Sequence, residues 1–64
     1  MRNRYLVEFM SKWSNRWATI ECFDDVYEAV DNAVKMSKEE SKEPHKVRVY
    51  DFAEEKTVLR LEIV

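Results

Sequence analysis

The side chains best equipped for covalent chemistry are Cys22 and His45, the one cysteine and the one histidine of this 64-residue chain. A thiol becomes a nucleophile when a neighbouring base or positive field stabilises its thiolate, and histidine is the usual base because its ordinary pKa lies near neutrality. Nothing in the sequence supplies a third group to orient the imidazole. Strand alternation, set out below, also points Cys22 into the core, where a thiol behaves as a small apolar group and reacts poorly. Cys22 and His45 fall short of the four ligands of a structural zinc site, and a lone cysteine cannot close an internal disulfide. The chain has no glycine, so no glycine-rich phosphate loop or nucleophile elbow is present, and no calcium-loop spacing occurs. These observations predict a protein that is not an enzyme and needs neither cofactor nor metal.

A second group of residues can recognise rather than react. Trp13, Trp17, Tyr50 and Phe52 alternate with Lys12, Arg16, Arg48 and Arg60. Such interleaving is the raw material of a platform that stacks single-stranded bases and neutralises their phosphates. The same residue types also dominate protein interfaces and ordinary cross-strand packing. The net charge of −2 weighs against a general polyanion binder. Acids cluster at Asp24, Asp25, Glu28 and Asp31 and again at Glu39, Glu40 and Glu43. They could form an acidic ridge for a basic partner, but a solvated helix face interrupted by Lys35, Lys38 and Lys42 accounts for them without one.

The elements that must position these residues follow from periodicity. Over residues 4–13, Tyr5, Val7, Phe9 and Trp13 share one side and Leu6, Glu8, Met10 and Lys12 the other, as in a strand. Ser14 and Asn15 suit a tight turn. With Trp13 set opposite Arg16, Phe9 pairs with Ile20 and Val7 with Cys22, which gathers Ala18, Ile20 and Cys22 on the core side. That register also opposes Glu8 to Glu21, a mildly unfavourable pair. Asp25 and Glu28 have capping-box spacing. The helix that follows repeats apolar or small residues at Val26, Ala29, Val30, Ala33, Val34 and Ser37, with Asp31, Asn32, Lys35 and Lys38 facing water. Pro44 ends it. Residues 46–52 and 57–64 form a last hairpin in which Val49 pairs with Leu59 or Leu61. Val47, Val49, Leu59, Leu61 and Ile63 face the core, and Tyr50, Phe52, Val58 and Val64 the opposite side. A three-residue loop would oppose Tyr50 to Arg60, Arg48 to Glu62 and Phe52 to Val58.

The predicted fold is therefore α+β: a ββαββ chain making a four-stranded, mainly antiparallel sheet with one helix over one face. Strand order 2-1-4-3, as in β-grasp-like sheets, places the most apolar strands centrally, although other orders fit the pattern. At 64 residues a single core is marginal without a disulfide, a metal or a partner subunit. One helix covers one sheet face, so the other face is expected to meet a partner.

No apolar run approaches a membrane span, and residues 1–5 lead into an alternating pattern rather than a signal-peptide core. With a lone thiol, this predicts a cytoplasmic protein. Basic residues concentrate at Arg2, Arg4, Lys12 and Arg16, and acids follow in the middle of the chain. The layout of Arg4-Tyr5-Leu6-Val7-Glu8-Phe9, then Phe23-Asp24-Asp25 before a short helix, then Lys46-Val47-Arg48-Val49-Tyr50-Asp51 before a terminal hairpin, resembles small accessory proteins of bacteriophages and mobile elements. That resemblance implies a protein that binds and thereby inhibits or modulates a host macromolecule, as anti-defence proteins do, and it assigns no residue a role. The expected reading is a homodimeric protein-protein interaction module whose self-association surface uses Leu6, Met10, Trp17, Tyr50, Phe52 and Val58. The alternative is a single-stranded nucleic-acid binder using Lys12, Trp13, Arg16, Arg48 and Arg60.

Overall fold

Every second residue from His45 to Asp51 is buried, the mark of a strand covered on one face and flanked by neighbours on both edges. This strand is β3 (His45–Asp51) in a computed structural model that describes residues 4–39 and 43–63. The other elements are β1 (Tyr5–Ser11), β2 (Ala18–Phe23), α1 (Val26–Glu39) and β4 (Lys56–Ile63). Residues assigned above at positions 1–3, Glu40, Lys42 and Val64 lie outside the described residues.

The four strands form one antiparallel sheet in the order β2-β1-β3-β4, with α1 on one face. The α+β class and ββαββ order are as the periodicity predicts, but the order 2-1-4-3 is corrected. The core explains the difference. Val47 and Val49 on β3 are fully buried beside Val7 on β1, with Ala29 and Ala33 of α1 packed on them. β4 carries larger but fewer fully covered side chains, with Leu59, Leu61 and Ile63 only half-buried. The small helix alanines pack on the fully buried valines of β1 and β3, and those two strands are central. Burying each valine contributes about 1.5–2 kcal/mol.

The first hairpin departs from the expected register. Leu6 pairs with Cys22 and Val7 with Glu21, then the pairing slips so that Glu8 meets Thr19 and Phe9 meets Ala18, leaving Ile20 as a bulge. Cys22 is consequently exposed on the outer face rather than in the core. The like-charge opposition of Glu8 and Glu21 disappears, and Thr19 Oγ1 instead donates to Glu8 Oε2 at 2.8 Å. The two-residue turn is replaced by a loop over residues 12–17. Ser14 N–H donates to the Ser11 carbonyl at 3.2 Å, and Arg16 N–H donates to Ser14 Oγ at 3.1 Å. A two-residue hairpin turn favours positive φ at its centre. Without glycine the chain adopts this wider loop, and among the described residues only Glu55 has positive φ, at 54°.

The second hairpin takes one of the two expected registers, with Val49 opposite Leu59. Its loop is residues 52–55, so the three-residue version is corrected: Arg48 meets Arg60, Lys46 meets Glu62 and Tyr50 meets Thr57, with Val58 bulged out. Asp51 selects this loop. Its Oδ1 accepts from the backbone N–H groups of Ala53 at 3.0 Å and Glu54 at 3.2 Å, an aspartate-initiated turn that needs no glycine.

The helix starts where Asp25 Oδ1 accepts from Tyr27 N–H at 3.3 Å, one arm of the expected capping box; no return bond from Glu28 is present among the described residues. Met36 packs on the core, and Asn32 is half-buried rather than fully solvated. Ser37 is buried and donates to the Val34 carbonyl at 2.7 Å.

Asp51 also fastens the start of β1. Arg4 donates through Nε to Oδ1 at 3.0 Å and through Nη2 to Oδ2 at 2.9 Å, a two-pronged contact that neutralises a side chain only 4% exposed. The Arg4 hydrogen bonds hold the Asp51 carboxyl at about 2, below its ordinary 3.8, and raise the guanidinium in turn. Because the folded value lies below the unfolded one, this stabilisation is complete above about pH 4 and is lost as pH falls toward 2. Asp51→Asn is expected to lower the denaturation midpoint at neutral pH and to flatten the acid limb of the stability profile. Chemical denaturation monitored by circular dichroism across that range measures both.

Candidate functional site

The outer face of the sheet, away from α1, is built by Leu6, Glu8 and Met10 of β1, Thr19 and Cys22 of β2, Lys46, Arg48 and Tyr50 of β3, and Arg60 and Glu62 of β4. Its centre is charged. Glu8 is opposite Arg48 across β1 and β3, and Glu8 Oε1 accepts from Arg48 Nε and lies equally close to Nη2, both at 2.7 Å. With Thr19 on Oε2, the carboxylate has partners on both oxygens, which is the condition for a carboxylate only 9% exposed.

Aromatic rings close over this pair. The Arg48 guanidinium carbon lies 4.4 Å from the Trp17 ring centre and 4.9 Å from that of Tyr50. Arg60 approaches Trp17 at 6.0 Å and is held by Glu62 at 3.1 Å. Each cation–π contact is worth about 0.5–1 kcal/mol at a partly solvated site. The bonds and stacks together fix a side chain that is otherwise among the most mobile. The direct opposition of Arg48 and Arg60 is tolerable because each guanidinium has its own carboxylate and both share the electron-rich face of Trp17.

The predicted interface residues divide around this centre. Leu6 and Tyr50 are opposite one another and half-buried, and Met10 lies half-buried at the other end beside Lys46. Trp17 sits over the middle. Phe52 is in the β3–β4 loop and 66% exposed, and Val58 is the bulged residue of β4. The expected continuous apolar face is therefore two apolar ends around an ion pair. The nucleic-acid set also divides: Arg48 and Arg60 meet at Trp17, and Lys12, Trp13 and Arg16 lie in the β1–β2 loop, where Lys12 Nζ stacks 4.8 Å from the ring of an 80% exposed Trp13.

Sequence reasoning missed Glu8 as the keystone. The available signal was an acid flanked by Leu6 and Met10 on one face of an otherwise apolar strand. Using it required knowing that β1 lies against β3.

Cys22 and His45 do not meet: the thiol is on the outer face, and His45 is buried on the inner face, stacked on Phe9 with ring centres 5.4 Å apart. His45 Nδ1 lies 2.7 Å from the Glu43 carbonyl. A carbonyl only accepts, so Nδ1 carries a proton. An open hollow of about 390 Å3 runs past Phe9, Ser11, Trp13 and His45. Nε2 is closed off from water and has no hydrogen-bond partner among the described residues. Among the described residues no three His, Cys, Asp or Glu side chains are grouped to hold a metal ion, and no helix is long and apolar enough to cross a membrane. No protein-family model, curated protein or solved structure significantly matches this chain.

Removing Glu8 would leave the Arg48 guanidinium half-covered without its anion. Glu8→Ala is expected to destabilise the fold by about 2–3 kcal/mol. Adding Arg48→Met should recover a large part of that loss, giving a strongly non-additive double-mutant cycle by urea denaturation.

Proposed function

We propose that this chain is a non-enzymatic binding module, homodimeric and cytoplasmic, which presents the outer face of its sheet to an acidic, partly apolar surface of another protein and acts by occupying it. The observation that carries this reading is the Arg48 guanidinium, stacked between Trp17 and Tyr50 and anchored from beneath by Glu8. Aromatic and arginine side chains are the commonest anchors of protein interfaces, and anchors already held in place lose little entropy on binding. Leu6, Met10, Phe52 and Val58 supply apolar ground on either side.

Charge selects the partner's chemistry. The outer face and its two adjoining loops carry Lys12, Arg16, Lys46, Arg48 and Arg60 against Glu8, Glu54, Glu55 and Glu62, with the cations gathered at the sheet centre and the β1–β2 loop. Acids gather instead around α1 at Asp24, Asp25, Glu28 and Asp31. An acidic partner is steered to the first surface and repelled by the second. The polar centre suits a partner that also exists free, whereas an obligate self-interface has a more apolar middle. An exposed free thiol at Cys22 fits a reducing compartment. The resemblance to phage and mobile-element accessory proteins favours a host protein as the target, with inhibition or modulation as the outcome.

Nucleic acid is the second reading, favoured by the exposed Trp13–Lys12 stack alone. Against it, the net charge of −2 disfavours a general polyanion binder.

Affinity capture compared among the native chain, a Trp17→Ala/Tyr50→Ala variant and the helix-face variant Asp31→Lys tests the assignment. A partner held by the native chain and by Asp31→Lys should weaken about 30-fold or more with the aromatic pair removed. Loss with Asp31→Lys and retention without the aromatics would overturn the reading. An oligothymidine titration should leave Trp fluorescence unchanged at low salt; quenching that fades steeply with salt would install nucleic acid instead.

A further inference from the structure

The sheet has two edges, and they are guarded differently. β2 is short, bulges at Ile20, and places Glu21 opposite Val7 on the apolar side. A bulge and an inward-facing charge are the devices by which natural sheets prevent edge pairing. β4 has its bulge at Val58 and a lysine at position 56, both in its first half. From Leu59 to Ile63 it is regular, with no proline, lysine or bulge. The inner-facing Leu59, Leu61 and Ile63 of this stretch are only half-buried, and its outer-facing Arg60 and Glu62 are half-exposed and opposite in sign.

We propose that residues 59–63 are a self-pairing edge, at which two copies of the chain join antiparallel about a two-fold axis through Leu61. In that register Leu61 meets Leu61 of the second copy, Leu59 meets Ile63, and Arg60 meets Glu62, each pair occurring reciprocally as an isologous contact requires. Apolar groups face apolar groups on the helix side, and opposite charges face each other on the outer side. A slip by one residue opposes leucines to charged side chains. A slip by two opposes Arg60 to itself when centred there, or sets Glu62 against its own copy when centred on the other side. The central register alone satisfies both faces.

A two-fold axis perpendicular to the sheet leaves both helices on one side. The two four-stranded sheets become one, and the outer faces with their Trp17–Arg48–Tyr50 clusters continue across the joint. Self-association and target binding then use different surfaces, and the dimer presents two copies of the binding face to the same side. This rests on the homodimer part of the functional reading and replaces the outer sheet face as the self-association surface.

Light scattering over a dilution series, with circular dichroism as the check on folding, tests it. Arg60→Glu puts the new carboxylate opposite Arg48 within the chain, so the fold is kept, but opposite Glu62 of the second copy. It should raise the dimer dissociation constant about tenfold or more. The exchange Arg60→Glu/Glu62→Arg should return it toward the native value. In a Cys22→Ser background, Leu61→Cys should form an intermolecular disulfide on mild oxidation, because a residue on the axis meets its own copy about 4.5–5.5 Å away between Cα atoms. Leu59→Cys should not. A native chain that is monomeric throughout overturns the homodimer and the pairing together. A dimer indifferent to Arg60→Glu, or dissolved by Phe52→Asp instead, overturns the pairing and leaves the homodimer standing.

Discussion

The antiparallel union of β1 with β3 is the contact on which the other features depend. These two strands are distant in sequence, yet they hold the fully buried valines of the sheet. Their pairing also aligns two acid–arginine contacts of opposite sense. Glu8 of β1 reaches Arg48 of β3 across the outer face, and Asp51 of β3 is reached by Arg4, just before β1. Slipping this pairing by one residue would turn Val7 outward and part both ion pairs at once. Register is thus fixed on the inner face by buried valines together with the Arg4–Asp51 pair and on the outer face by the Glu8–Arg48 pair.

The small inner core makes these polar contacts matter. Three valines and two alanines are the fully buried apolar residues among those described, a modest interior even for a chain of this length. Buried ion pairs seldom add stability over apolar packing, but leaving one partner uncompensated is costly. In this sheet they act chiefly against alternatives: a misregistered sheet would bury Glu8 or Asp51 without its arginine. The same pair that disciplines the fold also immobilises Arg48 beneath Trp17 and Tyr50, so a constraint on register doubles as the organiser of the binding surface.

Turn chemistry without glycine has visible consequences. The first hairpin widens into a loop carrying two tryptophans, a lysine and an arginine. The second is nucleated by the Asp51 carboxylate and accepts one left-handed residue, Glu55. Both loops end up presenting aromatic side chains, Trp13 and Phe52, to solvent beside the outer face. Asp24, Asp25, Glu28 and Asp31 cluster at the start of the helix, on the other side of the sheet from the Trp17–Arg48–Tyr50 cluster.

Period-two alternation in residues 5–9 and 45–51, the capped 3.6-residue repeat from Val26, and Pro44 were enough to determine the element types, their sequence order and most of the inward-facing residues, because these depend on local geometry and on which side chains avoid water. The partners of Glu8 were not determined locally. They depend on β1 lying beside β3 rather than β4, a choice made by the close fit of Ala29 and Ala33 over three valines. The bulge at Ile20 was hidden for a related reason: alternation assumes an unbroken ladder, and only the competing demands of Thr19 for Glu8 and of Phe23 for the core break it, turning Cys22 outward. Local pattern thus set the elements and most of the core, whereas which charges meet was left to long-range pairing, because that depends on strands brought together across the length of the chain.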